Sequence, residues 1–294
     1  MPVTFQSFTR STLMRKIFLY SVLLVTIWIV LARCFIMKER ISDKKGKNWF
    51  KNKNVVLTTK DTVIDGRHIH YAMAGNGSLP TLVFIHGSPG SWFHYMKFMY
   101  DSDMLKKFRV VSFDRPGFGY SDFGKPMHLQ DQSKLLLRVI ETLKTDKPLY
   151  LAGHSMGGPV VAQIAAYKPE LFEKIILMAA AIDIKMEAKE TWRHIMEVRP
   201  LYWCLPGAFA PSNTELLWLK KDLGPLADDL KKITCKVLFI HGDKDTWVPI
   251  KNIAFGKQMM INAKSIDADT LRGADHQIPW KRRDEIKEIL LGLY

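Results

Sequence analysis

Along most of this chain the apolar residues come in short unbroken runs. TLVFIHG (81–87), RVVSFD (109–114), LYLAG (149–153), KIILMAA (174–180) and KVLFIHG (236–242) each end in Gly, Asp or small residues. Runs of this length without period-two alternation predict strands buried on both faces of a parallel sheet. VVLTT (55–59) and HIHYAMA (68–74) read as two opening strands, AGNGSLP as the turn after them, and SIDADTLR (265–272) as a last strand. Between the strands lie helical patterns: SWFHYMKFMYDSDMLKKF (91–108), LQDQSKLLLRVIETLK (129–144), GGPVVAQIAAYKPE (157–170) and IPWKRRDEIKEILLGLY (278–294). The repeated order predicts an α/β fold with a doubly wound, mostly parallel sheet. In such sheets the working residues gather at the strands' C-terminal ends.

One connection is too long for this scheme. More than fifty residues separate Ala180 from Lys236, among them Trp192, Tyr202, Trp203, Phe209 and Trp218. A helical cap over residues 183–230, inserted after the sixth strand, would supply apolar walls over a site at the sheet's edge. Some of these aromatics must instead pack the cap onto the main domain.

The N-terminal pattern differs again. IFLYSVLLVTIWIVLA (17–32) is uncharged, and CFIM extends it past Arg33 to Met37. Sixteen helical residues rise about 24 Å, short of a ~30 Å hydrocarbon core. The 21 residues of 17–37 suffice if Arg33 snorkels to the headgroups. A cleaved signal peptide fits less well, because the apolar region is long and no A-x-A-like site follows. The expected organisation is an N-terminal tail (1–16), a transmembrane anchor (17–37), a basic linker (38–53) and an α/β core (54–182 and 231–294) around the cap. Basic residues are denser after the anchor, which by the positive-inside rule places the main domain in the cytoplasm.

Charge changes the picture only at the leader. The net charge is +14, and half of it sits in residues 1–47, where nine Lys or Arg face Glu39 and Asp43. No aromatic-interleaved basic stripe follows, so no nucleic-acid partner is expected. KKGK (44–47) lies where anionic headgroups would attract it. Cys34, Cys204 and Cys235 are too few and scattered for a disulfide framework or a metal site. Cys34 is an acylation candidate, although an inert apolar cysteine is the plainer reading. NGS at Asn76 is both a glycosylation sequon and a tight-turn signal.

The candidate chemistry centres on GHSMGG (153–158). A Gly-x-Ser-x-Gly match arises by accident in a chain of this length roughly one time in ten, so context must decide. Ser155 lies between an apolar run and a helix, the setting in which flanking glycines let a strained turn expose the hydroxyl. A serine hydroxyl needs a base. His276, in RGADHQIPW before the final helix, is the candidate, and Asp245, in HGDKDTWVP, is the acid that would orient it. An oxyanion hole takes two backbone N–H groups, here those of Met156 and Ser88, the latter in HGSPG (86–90). Asp243 reads as a loop stabiliser, and Asp183 occupies a second place for an acid. His86 and His154 read as packing or hydrogen-bonding neighbours. Asp114 and Arg115 read as holding the loop after their strand.

With these residues in order, the chain resembles the α/β-hydrolase superfamily in its serine-nucleophile, capped esterase and lipase-like branch. The motifs are HGSPG, DRPGFGYSD (114–122), GHSMGG, HGDKDTWVP (241–249) and GADH (273–276), spread over residues 55–294. The resemblance implies Ser155 as nucleophile, His276 as base, Asp245 as acid and Ser88 with Met156 as oxyanion donors. It implies no cofactor and no metal. Serine at 155 departs from the epoxide hydrolase and haloalkane dehalogenase branches, whose nucleophile is Asp, although HGSP and RPGFGYS resemble their loops. Ala274 stands where relatives often carry Gly. The expected function is a membrane-anchored serine hydrolase acting on a small-molecule or lipid ester. The alternatives are C–C, amide or perhydrolase chemistry with the same residues, or a non-catalytic binding protein.

Overall fold

The computed structural model describes the backbone of residues 5–188 and 190–293, with side chains from residue 12 onward. In chain order the elements are α1 (Phe5–Cys34), α2 (Asp43–Lys51), β1 (Thr58–Ile64), β2 (Arg67–Ala74), β3 (Thr81–Ile85), α3 (Met96–Met99), α4 (Ser102–Lys107), β4 (Arg109–Phe113), α5 (Leu129–Glu141), β5 (Leu149–His154), α6 (Gly157–Tyr167) and β6 (Lys174–Met178). The cap follows as α7 (Thr191–Glu197), α8 (Leu201–Cys204) and α9 (Phe209–Asp229). Then come β7 (Lys236–Gly242), α10 (Asn252–Met259), β8 (Ser265–Leu271), α11 (Ile278–Lys281) and α12 (Arg283–Leu291).

The eight strands form one sheet in the order β1-β2-β4-β3-β5-β6-β7-β8. β1, β2 and β4 pair antiparallel, and every pair from β4–β3 to β7–β8 is parallel. The unbroken apolar runs have a simple cause. In β3, Val83 and Ile85 enter the core under α5 and α6, while Leu82 and Phe84 enter a second core with Trp92, Phe98 and Ile286. Both faces are covered, so the period of two that would distinguish a wet face is absent. The chain leaves β3 on one side and returns past it to β5. The sheet's switch point therefore lies between these neighbours, where ligands bind in such folds.

Several elements depart from the sequence expectation. The first strand is Thr58–Ile64 rather than 55–59, and a hairpin turn at Asp65–Gly66, both with positive φ, joins it to β2. Its edge position leaves it polar, so no apolar run marked it. Residues 38–53 are not simply a linker: 43–51 form α2, whose Phe50 is buried with its ring 6.3 Å from Trp92 and 5.5 Å from Tyr100. Two adjacent rings, Trp49 and Phe50, on a short basic helix leave almost no periodic signal. The stretch 91–108 is a 3-10 turn followed by α3 and α4, because the Asp101 carboxylate caps the amides of Asp103 and Met104 and starts a new helix. The final helix is broken at Arg282, and α10 had no predicted counterpart.

The anchor's bounds shift too. α1 takes in residues 5–16 of the expected tail and ends at Cys34, with Met37 at φ +50 beyond it. Residues 1–4 of the tail, Lys189 of the cap and Tyr294 lie outside the described residues. Thr12–Cys34 is long and apolar enough to cross a membrane, by length and composition.

Candidate active site

The five loops that follow β3, β5, β6, β7 and β8 meet at one edge of the sheet. Ser155 follows β5 directly, with φ +53, and its amide donates to the Met178 carbonyl of the neighbouring strand at 2.9 Å. An L-residue held in the left-handed region is strained, and the surroundings hold it there. Glycine makes the turn possible. A Cβ at Gly157 would lie 2.3 Å from the Ile85 carbonyl oxygen, and one at Gly87 would lie 3.1 Å from the Ser155 Cβ. The loop after β3 is thus pressed against Ser155.

The loops after β7 and β8 bring His276 to Asp245. The His276 Nδ1 lies 2.7 Å from the Asp245 Oδ2, and both residues are buried. The other carboxylate oxygen accepts the Trp247 and Val248 amides, each at 2.9 Å. Burial alone would raise the Asp245 carboxyl, but hydrogen bonds from His241 and His276 outweigh it and hold the group well below the usual carboxylate range. An ionised Asp245 accepts from Nδ1–H, which leaves the Nε2 lone pair of His276 free to take a proton. His276 and Ser155 line one cavity of about 800 Å³, together with Ser88, Met156 and cap residues Trp192, Phe209 and Leu216. Among the described residues, neither the Ser88 nor the Met156 amide donates to a protein acceptor.

The neighbours sort as follows. Asp243 accepts the Gly273 amide at 2.7 Å and holds the loop ahead of His276. Asp183 accepts the Lys185 amide and donates its own amide to Asn252. Among the described residues it makes no hydrogen bond to His276. His154 donates from Nε2 to the His276 carbonyl at 2.9 Å, and burial, followed by the adjacent His276, pushes it down to about 3. It is a neutral support for the loop. Asp114 accepts the amides of Trp92 and Tyr120 and bonds the His70 ring. Asn76 is exposed in a turn, where its Oδ1 accepts the Ser78 amide.

Four contributors escaped the sequence reading, His241, Ser212, Glu215 and Glu187, whereas Arg115 holds its loop as expected. His241 Nε2 sits 3.4 Å from the Asp245 Oδ2 and donates to the Val248 carbonyl at 2.8 Å. Arg115, wholly buried, donates to the carbonyls of His86 and Gly87 and makes a two-pronged pair with Glu215 of α9 at 2.7 Å. The Ser88 hydroxyl donates to Ser212, one turn earlier on α9, at 2.8 Å. Glu187 lines the cavity, and burial, with Glu190 adding to it, raises its carboxyl to about 7. Ser212 and Glu215 stand in the polar run Ser-Asn-Thr-Glu (212–215) of α9, where nothing in the sequence sets them apart.

Comparisons with known proteins agree with this architecture. A family model described as the alpha/beta hydrolase fold matches residues 80–204. The uncharacterized hydrolase YugF of Bacillus subtilis is 33% identical over 125 residues, covering 42% of this chain and 44% of its own. Epoxide hydrolase 1 of Caenorhabditis elegans is 33% identical over 147 residues, covering 45% of this chain and 34% of its own. The chain thus spans less than half the length of either relative. A solved bacterial membrane phospholipase A superposes with a TM-score of 0.61 at 18% identity, over 95% of this chain and 97% of that one. The family match rests on the strands that carry Ser88 and Ser155, the likeness to the solved structure extends along nearly all of the molecule, and the chain has the α/β-hydrolase fold.

Proposed function

We propose that this protein is a membrane-anchored serine hydrolase that cleaves a carboxylic ester through an acyl-enzyme. The observation that carries the reading is the buried 2.7 Å bond from His276 to an ionised Asp245, with His276 and Ser155 opening on one cavity. In the proposed cycle, the Ser155 Oγ attacks the ester carbonyl while its proton passes to the His276 Nε2. The amides of Met156 and Ser88 stabilise the oxyanion, each worth roughly 10²–10³ in rate. The tetrahedral intermediate collapses, and His276 gives the proton to the departing alcohol. Water then repeats the sequence on the acyl-enzyme and releases the acid. The apolar cavity walls from Met156, Leu216, Leu219, Phe209 and Val248 suit a hydrophobic acyl or alcohol group.

Similarity to an epoxide hydrolase favours a second reading, epoxide opening. That branch begins from an Asp nucleophile, and position 155 is Ser, so the ester reading is preferred. Fluorophosphonate labelling tests the proposal. Wild type is expected to label and Ser155→Ala is not. A folded wild type that resists the probe, under conditions that label a known serine hydrolase, would leave a non-catalytic scaffold. A panel of esters, amides, C–C substrates, peracid formation and epoxides then assigns the bond.

A further inference from the structure

The anchor helix and the cap are in direct contact. Ala32 is fully buried, the Gly207 amide donates to its carbonyl at 2.8 Å, and the Ala208 amide donates to the Met37 carbonyl at 2.8 Å. Gly207 is obligatory at this junction, since it holds φ +47 and a Cβ there would lie 2.1 Å from the Met37 oxygen. Further down α1, the Trp28 Nε1 donates to the Cys204 carbonyl of α8 at 2.9 Å, and the Arg33 guanidinium lies over the Tyr202 ring. From Trp28 to Cys34 the helix rises about 9 Å. The 23 residues Thr12–Cys34 rise about 34 Å, close to a ~30 Å hydrocarbon core. If α1 spans that core, its contact with α8 lies well below the membrane surface.

We propose that α7 and α8 lie in the acyl–headgroup boundary of the bilayer that holds α1, so that the cavity receives its lipid substrate from that leaflet. The proposal rests on the anchored-hydrolase reading above and adds to it a surface and a partner. A depth of about 9 Å falls in the 5–10 Å range at which interfacial helices sit. The surface has the matching chemistry. Ile195 and Val198 are each 60% exposed, Leu201 41% and Trp203 40%, along α7, α8 and the turn between them. In water a patch of this size is a liability; against lipid it is the contact face. The Arg193 and Arg199 guanidinium groups lie over the rings of Trp192 and Trp203, so each charge is carried on an amphipathic side chain suited to the headgroup layer. Trp192 also lines the cavity that holds Ser155. The face that meets lipid and the wall of the site therefore share a residue.

The test uses the full chain in phosphatidylcholine vesicles, with Cys34→Ser and Cys204→Ser removing the two accessible thiols. A bimane label is placed at Ile195→Cys or Val198→Cys on the cap, Leu24→Cys on α1, or Lys60→Cys on β1, and quenched with brominated lipids. Quenching at 24, 195 and 198 but not at 60 is expected. Quenching at 24 without 195 and 198 overturns the cap placement alone. No quenching at 24 removes the anchor reading, and this inference with it. The paired variant Ile195→Asp/Val198→Asp is expected to lose about tenfold or more on a vesicle-borne lipid ester while changing less than about twofold on a short soluble ester. Equal loss on both substrates overturns the proposal. Quenching as expected in a protein that hydrolyses neither ester leaves the membrane surface in place and sinks only the proposed chemistry.

Discussion

At the scale of single residues, the site depends on groups kept in one protonation state by their surroundings. Asp245 is the clearest. Its carboxyl is held below the ordinary range by His241 and His276, so it stabilises the fold above the unfolded value of about 4 and loses that contribution as pH falls through its native value. Asp245→Asn is therefore expected to flatten the acid limb of a stability–pH curve and to lower kcat by about 10⁴, since the amide selects the wrong His276 tautomer. Denaturant titrations between pH 2 and 6, with ester turnover, check both. His70 runs the other way. Burial opposes its charge, but Asp114 and then Asp43 outweigh that and raise it. Its contribution is full below about pH 6.5 and disappears as pH rises through the native value. His70→Gln should remove that alkaline decline, measured as the slope of stability between pH 6 and 9.

At the scale of elements, α9 is more than a lid. Through Ser212 it touches the loop whose Ser88 amide is the proposed oxyanion donor, and through Glu215 it holds Arg115, which donates to that loop's carbonyls. Breaking one side of a buried pair of this kind costs about 3–5 kcal/mol. Glu215→Gln is expected to lower the melting temperature and to slow fluorophosphonate labelling by about tenfold or more. The same change at Glu141, which pairs with Lys168 at the surface, should do neither. Elements of this sort differed in how plainly the sequence announced them. β3, β5 and β7 were legible because burial on both faces demands continuous apolar residues. α2 was not, because of its side chains only that of Phe50 is buried in the core. Phe50→Ala should cost about 3–5 kcal/mol in chemical denaturation, more than a linker position could.

At the scale of the whole molecule, the apolar helix α1, the cap and the core form one connected body. α1 bonds to the start of α9, α9 bonds to the loop beside Ser155, and α2 packs Phe50 on the second core face. Gly207→Ala should part α1 from the cap, because the added methyl meets the Met37 carbonyl. Faster hydrogen exchange across 201–209, with the sheet's protection unchanged, is the expected reading. What the sequence determined by itself was whatever local pattern encodes. The buried strands follow from unbroken apolar runs, the turn at Ser155 from its glycines, and the apolar leader from composition. The chain order of Ser155, Asp245 and His276 then supported the superfamily resemblance. Only the tertiary structure decided which residues meet across long separations. His276 reaches Asp245, Arg115 reaches Glu215, and Trp28 reaches Cys204 because strand order and cap placement bring them together. Periodicity reports which face of an element is buried, whereas the partner on the other side is set by how the elements stack.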